Sequence, residues 1–513
     1  MTSIRSFVLT VFYILYIFIP VLVTGTCAYG APAKVAIDES RAEDSETKAL
    51  SGALAHYIMG AIYDNYGDPE TAVIEYDKAL EDKADISDIY LKLGSSYLLL
   101  GKLDESAAKL QTAIDMSPED IKAYLLLAII HTAKGEFDIA QKQYDEALKY
   151  DPDNVKVLTF LSDLYIVQQD LDKAAGVYEK ILQIKQDDAF IYFNLGIIYS
   201  KLNLLDKAEE NLKKAIEVDK SYLEAQMVLG FVYEIDGKYP EAVEQYKKVT
   251  GIDSLNREAY VRLGQLYYRM GDTEKALQQN RILMRLDIYS PEPYLRNFSI
   301  YLAEKKYDKA EELLREALRN GISDAVIYAS LGYLATQEKD HKKAIDYYEV
   351  AAEKDPENYS YKFYLAVATD QAGKRKEAIK VLEKSVSEGA DLPEIYNYLG
   401  YLYVEEGQDL DKAISLIKKS IAKDPDNGAY IDSLGWAYYK KGMLPEAVVE
   451  IERAAHFLPE DPVVRDHLGE VYYTMGEWEK ALVQWKLSFK LYPANIKILN
   501  KIRAVERKIK NGK

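Results

Sequence analysis

Apolar and small residues along this chain recur with a period of 34. A small or polar residue returns at one phase, as Gly60, Gly94, Ala128, Ser162, Gly196, Gly230, Gly264, Gly332, Ala366 and Gly400, with Phe298 as the bulky exception. One residue is inserted near Gln408–Asp411, after which the phase resumes at Gly435 and Gly469. Three places after it there is usually an aromatic, as at Tyr63, Tyr97, Tyr165, Tyr199, Tyr233, Tyr403 and Tyr472, and twelve places after it stands alanine or a near substitute, from Ala72 to Ala481. Neighbours three or four apart share a helix face, so each period predicts two antiparallel helices. The small residue lets their backbones approach while Tyr and Leu fill the seam. Gly101, Gly237, Gly373 and Gly442 fall where a first helix must end, and Pro118, Pro152, Pro356, Pro425, Pro459 and Pro493 stop second helices. Thirteen periods occupy residues 53–495, and residues 496–513 close the chain as a basic amphipathic helix with Ile498, Ile502, Val505 and Ile509 on one side.

Composition agrees with an all-α fold. Hydrophobic residues make up 48% of the chain against 15 Pro and 27 Gly, and Tyr, at 44, is the one abundant strand former. The formal net charge is -18. Residues 1–30 hold one basic residue and residues 496–513 hold seven against one acidic, so the stretch 31–495 carries -25. Such a body repels phosphate backbones, and no nucleic-acid partner is expected.

The amino terminus reads as an address. Arg5 precedes an uncharged run from Phe7 to Val23, and small or polar residues follow through Ala31, the order of a secretory signal. Residues 1–30 are therefore expected to be a signal peptide or an amino-terminal membrane anchor, with the rest exported. Three outcomes stay open. Cys27, the sole cysteine, is the lipidated residue; or cleavage after Gly30 releases a soluble chain; or the run stays as an anchor. Residues 31–52 read as an acidic, polar tether.

With Leu331, Gly332, Ala344, Tyr348, Ala351 and Pro356 as one complete instance, the repeat resembles the tetratricopeptide-repeat (TPR) family, whose template reads W-x2-L-G-x2-Y, then Ala, an aromatic, Ala and Pro. The resemblance covers residues 53–495. It implies a right-handed superhelical solenoid of about thirteen helix-turn-helix repeats plus the capping helix, with first helices lining a groove that binds protein or peptide partners. Positions three before, one after and four after the small residue then become groove candidates. In the late repeats these and their neighbours are Tyr333, Phe363, Tyr401, Asp432, Trp436, Tyr439, Asp466, Glu470 and Tyr473, an aromatic and acidic set suited to extended peptide carrying Lys or Arg. Early repeats offer Ala61, Ser95, Ile129, Asp163 and Ile197 instead. Asn194, Arg262 and Arg296 share one phase but do not reproduce the Lys–Asn pair of chaperone-tail receptors.

No chemistry competes with this reading. His56, His131, His341, His456 and His467 make no metal-binding spacing, no phosphate loop is present, and no cofactor or metal is expected. The segment Asp432–Tyr439, with Asp466–Tyr472, Trp478 and Trp485, is similar to the end of exported bacterial TPR lipoproteins, which implies a scaffold or adaptor in the cell envelope. A structural part of a polysaccharide or pilus export machine is the alternative within that class. An enzyme built on the late carboxylates and His467 is the alternative outside it.

Overall fold

A computed structural model of the protein describes residues 45–82 and 86–511. The leader, Cys27 and the tether up to residue 44 lie outside the described residues. Among those described there are 27 helices and no strand. They form thirteen successive pairs, from Ser45–Tyr66 with Pro69–Glu81 to Pro462–Thr474 with Trp478–Leu491, and a last helix, Ile496–Asn511. The chain divides into two compact units, Met1–Leu266 and Tyr267–Lys513. No helix among the described residues is long and apolar enough to cross a membrane.

Within a pair, the seam is set by the small residue of the first helix and the residue sixteen places later on the second. A Cβ at Gly94 would stand 2.5 Å from Leu110 Cγ, at Gly230 2.7 Å from Tyr246 Cε1, and at Gly332 2.9 Å from Tyr348 Cδ1. The missing side chain is thus filled by a buried one from the opposite helix. The aromatic three places after the small residue does a second task that the spacing alone does not show. In both units its ring is buried in the seam and its hydroxyl reaches the second helix of the preceding pair. Tyr199 donates to Glu179, Tyr403 to Glu383 and Tyr472 to Glu452, while Lys207, Lys412 and Lys480 lie over the same three rings. Tyr is used here where Phe would pack equally well, because its hydroxyl ties one repeat to the next.

Every first helix ends in a left-handed residue, seven places after the small one. In nine pairs it is glycine, as at Gly101 (φ 72°) and Gly442 (φ 84°), and in four it is Gln169, Asn203, Lys305 or Lys339, with φ between 57° and 62°. The amide of this residue and the one after it turn back onto the helix end, Gly101 N–H to Leu98 O and Lys102 N–H to Tyr97 O. The inserted residue of the eleventh pair falls in this turn, at Gly407–Gln408–Asp409, where the Asp409 carboxylate accepts from Lys412 N–H and caps the second helix. Pro118, Pro152, Pro356, Pro425, Pro459 and Pro493 each stand two residues beyond a second helix.

The two ends depart from the sequence reading. Helix Ser45–Tyr66 is 22 residues long and takes in residues 45–52, which polarity had assigned to the tether. The last helix is more than a lid. Its buried Ile498, Ile502 and Val505 occupy the register that Val464, Leu468 and Val471 hold one period earlier, so it stands as the first helix of a repeat. Arg503, exposed, stands at the small-residue phase, where no second helix presses against it.

Left-handed backbone is strained for any residue with a Cβ. Gln169→Gly and Lys339→Gly should therefore each raise the unfolding free energy by about 0.5 kcal/mol, after the added chain entropy of glycine is subtracted. Gly442→Ala should lower it by about 1 kcal/mol. Denaturant titration of the three variants beside the parent chain checks both signs.

Candidate functional site

The late groove candidates are brought together, but mainly onto one another. In the twelfth pair, the Trp436 ring stacks on Tyr439 at 4.8 Å and on His467 of the next first helix at 4.0 Å, and its indole N–H donates to Glu405 Oε1 at 2.9 Å. Asp432, buried, sits 2.8 Å from His467 Nδ1. Tyr439 and Thr474 share a hydroxyl hydrogen bond of 3.2 Å. One period later the closing helix supplies the partners. Lys501 Nζ lies 2.7 Å from both Asp466 Oδ1 and Glu470 Oε2, and Trp485 Nε1 also donates to Asp466. Lys508 Nζ lies 4.6 Å from the Tyr473 ring centre and 4.9 Å from that of Trp478.

This corrects the picture of free carboxylates waiting for a partner's cations. Burial opposes the charge of Lys501, yet its hydrogen bonds to Asp466 and Glu470 outweigh that and hold the ammonium above its ordinary pKa. Lys501 and Lys508 of the closing helix are spent on the last repeat. His467 is a packing element between Trp436 and Asp432. Farther up, Phe363 packs against Tyr364 and Tyr398, and Tyr401 stacks near Tyr398. Tyr398 donates to Asp370, which also accepts from Arg375. Of the nine candidates only Tyr333, 42% exposed, presents a largely open ring.

An open apolar ridge lies in the first unit. In helix Leu223–Ile235 the residues Met227, Val228, Phe231 and Ile235 share the groove-facing side, and Phe231 and Ile235 are 43% and 48% exposed. Phe193 and Ile197 extend that side on Ala189–Lys201. Arg262 borders it, its guanidinium 5.7 Å from the Phe231 ring centre and its Nε donating to Glu258 at 2.8 Å. An apolar ridge flanked by a cation can take an extended segment with apolar side chains and an acidic or carbonyl-rich edge. Sequence reading passed over it because each residue is an ordinary helix-core type. The signal was position: Phe231 stands one place after the small residue, where the repeats on either side carry Ile197 and Gln265.

Asp163 occupies that same position in the fourth pair. Burial pushes its carboxyl up to about 6, and a long 3.4 Å hydrogen bond from the Tyr178 hydroxyl offsets only part of this. Among the described residues no group of three or more His, Cys, Asp or Glu is placed to hold a metal ion.

Comparison with known families gives matches along both units. The model described as "Tetratricopeptide repeat" matches residues 59–121, 125–189 and 295–359, further models of that description match 189–222 and 335–400, and one described as "TPR repeat" matches 235–271. Together they take in more than half of the chain. No curated protein matches. Among solved structures, the chain is similar to one in the Naa15/Naa10 complex bound to HypK-THB, at 18% identity over 86% of this chain and 68% of that one, with a TM-score of 0.43. It is also similar to a chain of the APC/C hetero-tetramer Cut9-Hcn1, at 16% identity over 90% and 98%, with a TM-score of 0.41. Pseudomonas aeruginosa pilF matches at 20% identity over 42% and 97%, with a TM-score of 0.33.

The raised carboxyl of Asp163 gives a signed pH effect. The folded chain holds this proton more tightly than the unfolded one. Its contribution to stability is therefore full below the unfolded pKa of 3.8 and is lost as pH rises through about 6. Asp163→Asn should raise the unfolding free energy at pH 7 by about 2 kcal/mol, and the gain should vanish near pH 4. Denaturant titrations of variant and parent at both pH values test this.

Proposed function

The chain belongs to the tetratricopeptide-repeat family, and on that footing we propose that it is an exported scaffold, attached to a membrane by its amino terminus, that collects extended protein segments on the apolar ridge of its first unit. A tetratricopeptide chain is a protein-interaction scaffold, and this one devotes its described residues to stacked pairs and their closing helix. What supports export is the leader: one positive charge, an uncharged run from Phe7 to Val23, then small residues up to an acidic stretch. Membrane attachment rests on the same run, or on lipid at Cys27.

The observation that carries the binding surface is the exposure of Phe231 and Ile235 beside Arg262. Rings and aliphatic side chains left open on a groove-facing side, in a chain that packs its late aromatics so fully, mark the place where another chain supplies the missing contacts. The segment lies extended, buries alternate apolar side chains against the ridge, and places a carboxylate or carbonyl near Arg262.

Peptides selected from a random displayed library on the full chain should be rich in apolar residues and should bind Phe231→Ala/Ile235→Ala at least thirty-fold more weakly, the loss of about 2 kcal/mol from two truncated contacts. Undiminished binding by the double variant removes the ridge as the site. The compartment is checked separately, by the mass of the native protein's amino terminus in membrane and soluble fractions. An intact, unmodified chain confined to the cytosol removes export.

A further inference from the structure

Helix Ser45–Tyr66 leaves one face without a neighbour among the described residues. Leu50 is 65% exposed, Leu54 58%, Ile58 49%, Met59 40%, Ile62 39% and Tyr66 82%. The remaining residues of that face, Ser51, Ala55 and Asn65, are also exposed and uncharged. The charged or titratable side chains described on this helix turn the other way, with His56 bound to Glu75 and Asp64 accepting from Tyr76 and Ser96. A chain with a net charge of -18 thus presents an apolar strip of about four turns with no charge on it.

Register tells what kind of surface this is. Met59 and Ile62 stand one period before Leu93 and Ser96, and two before Leu127 and Ile130. Those four are buried, and Leu93 and Ile130 have no exposure at all. Leu93 is covered by the second helix of the preceding pair, through Ala72, Val73, Tyr76 and Ala79. At Met59 and Ile62 the first pair therefore carries the register of an interior stacking face, and among the described residues nothing covers it. The other end of the chain is finished differently: its last helix turns Arg503, Glu506, Arg507 and Lys510 outward.

We propose that a second copy of this chain covers this face, forming a two-fold dimer through helix Ser45–Tyr66. The row Leu50, Leu54, Ile58, Ile62, Tyr66 is spaced by four, and two such rows interdigitate in the commonest class of helix crossing, at about -50°. Ser51 and Ala55 keep the centre of the row low enough for close approach. The six large side chains offer on the order of 600 Å² per copy, near the ~800 Å² per partner of a standard interface once flanking atoms join. Charge favours the same occupant. Two acidic molecules repel wherever their charged surfaces meet, and this strip is where they can touch without adding a like-charge pair. The chain's own preceding residues are poorly suited to the role. Residues 31–44 supply only Val35 and Ile37 as large apolar side chains, and the run Phe7–Val23 has no polar side to turn to water.

Sedimentation of the full chain at micromolar concentration tests this. A dimer is expected, tightening as salt is raised from 50 to 500 mM because screening removes long-range repulsion and leaves apolar contact. Ile58→Glu and Leu54→Glu should each weaken self-association at least ten-fold with an unchanged helical spectrum and melting temperature. Ile252→Glu, an equally exposed site in the sixth pair, should leave it intact. A parent chain that stays monomeric at ~50 µM, a dimer indifferent to both glutamates, or one that dissociates as salt is raised overturns the proposal.

Discussion

The fold depends on how closely two helices of a pair can approach. At Gly94, Gly196, Gly230 and Gly469 even one added carbon would collide with a buried side chain of the opposite helix. That contact fixes the register of the pair, because only one residue, sixteen places on, can fill the gap. With the register fixed, the tyrosine three places after the small residue is carried to the rear of the pair, where its hydroxyl finds the glutamate of the preceding repeat. Packing within pairs and hydrogen bonding between them thus follow from one steric allowance. Where the allowance is not needed the template relaxes: Phe298 stands at the glycine phase, in one buried cluster with Leu314.

These features differ in how visible they are in the chain. Pair number, turn positions and the inserted residue were legible because each leaves a mark of fixed chemistry at fixed spacing: a small residue, a left-handed glycine, a proline two residues past a helix. Four turns lacked the mark, at Gln169, Asn203, Lys305 and Lys339, and were still placed by their period. The helical start at Ser45 was hidden because residues 45–52 mix Glu, Lys and Ser with Ala and Leu, a composition that suits tether and helix alike.

The site was less legible, since identity says what a residue can bind and not what already holds it. Asp466 and Glu470 looked available until Lys501, some 30 residues on, was seen between them. Trp436 looked like an open platform, and it lies between Tyr439 and His467. The ridge at Phe231 and Ile235 escaped for the opposite reason. Its residues are the commonest kind in helix cores, and only exposure sets them apart. The late aromatics hold one another, and the exposed ridge is made of the plainer residues.

The closing helix carries a consequence for how such a chain changes length. Because it keeps the register of a first helix, and meets the repeat before it with a buried triad matching Val464, Leu468 and Val471, a whole period gained or lost ahead of it would leave its own packing unchanged. A change of length ahead of this helix is therefore quantised, in steps of 34 residues. Each step adds one helix pair while leaving the final lysines against the repeat that they hold.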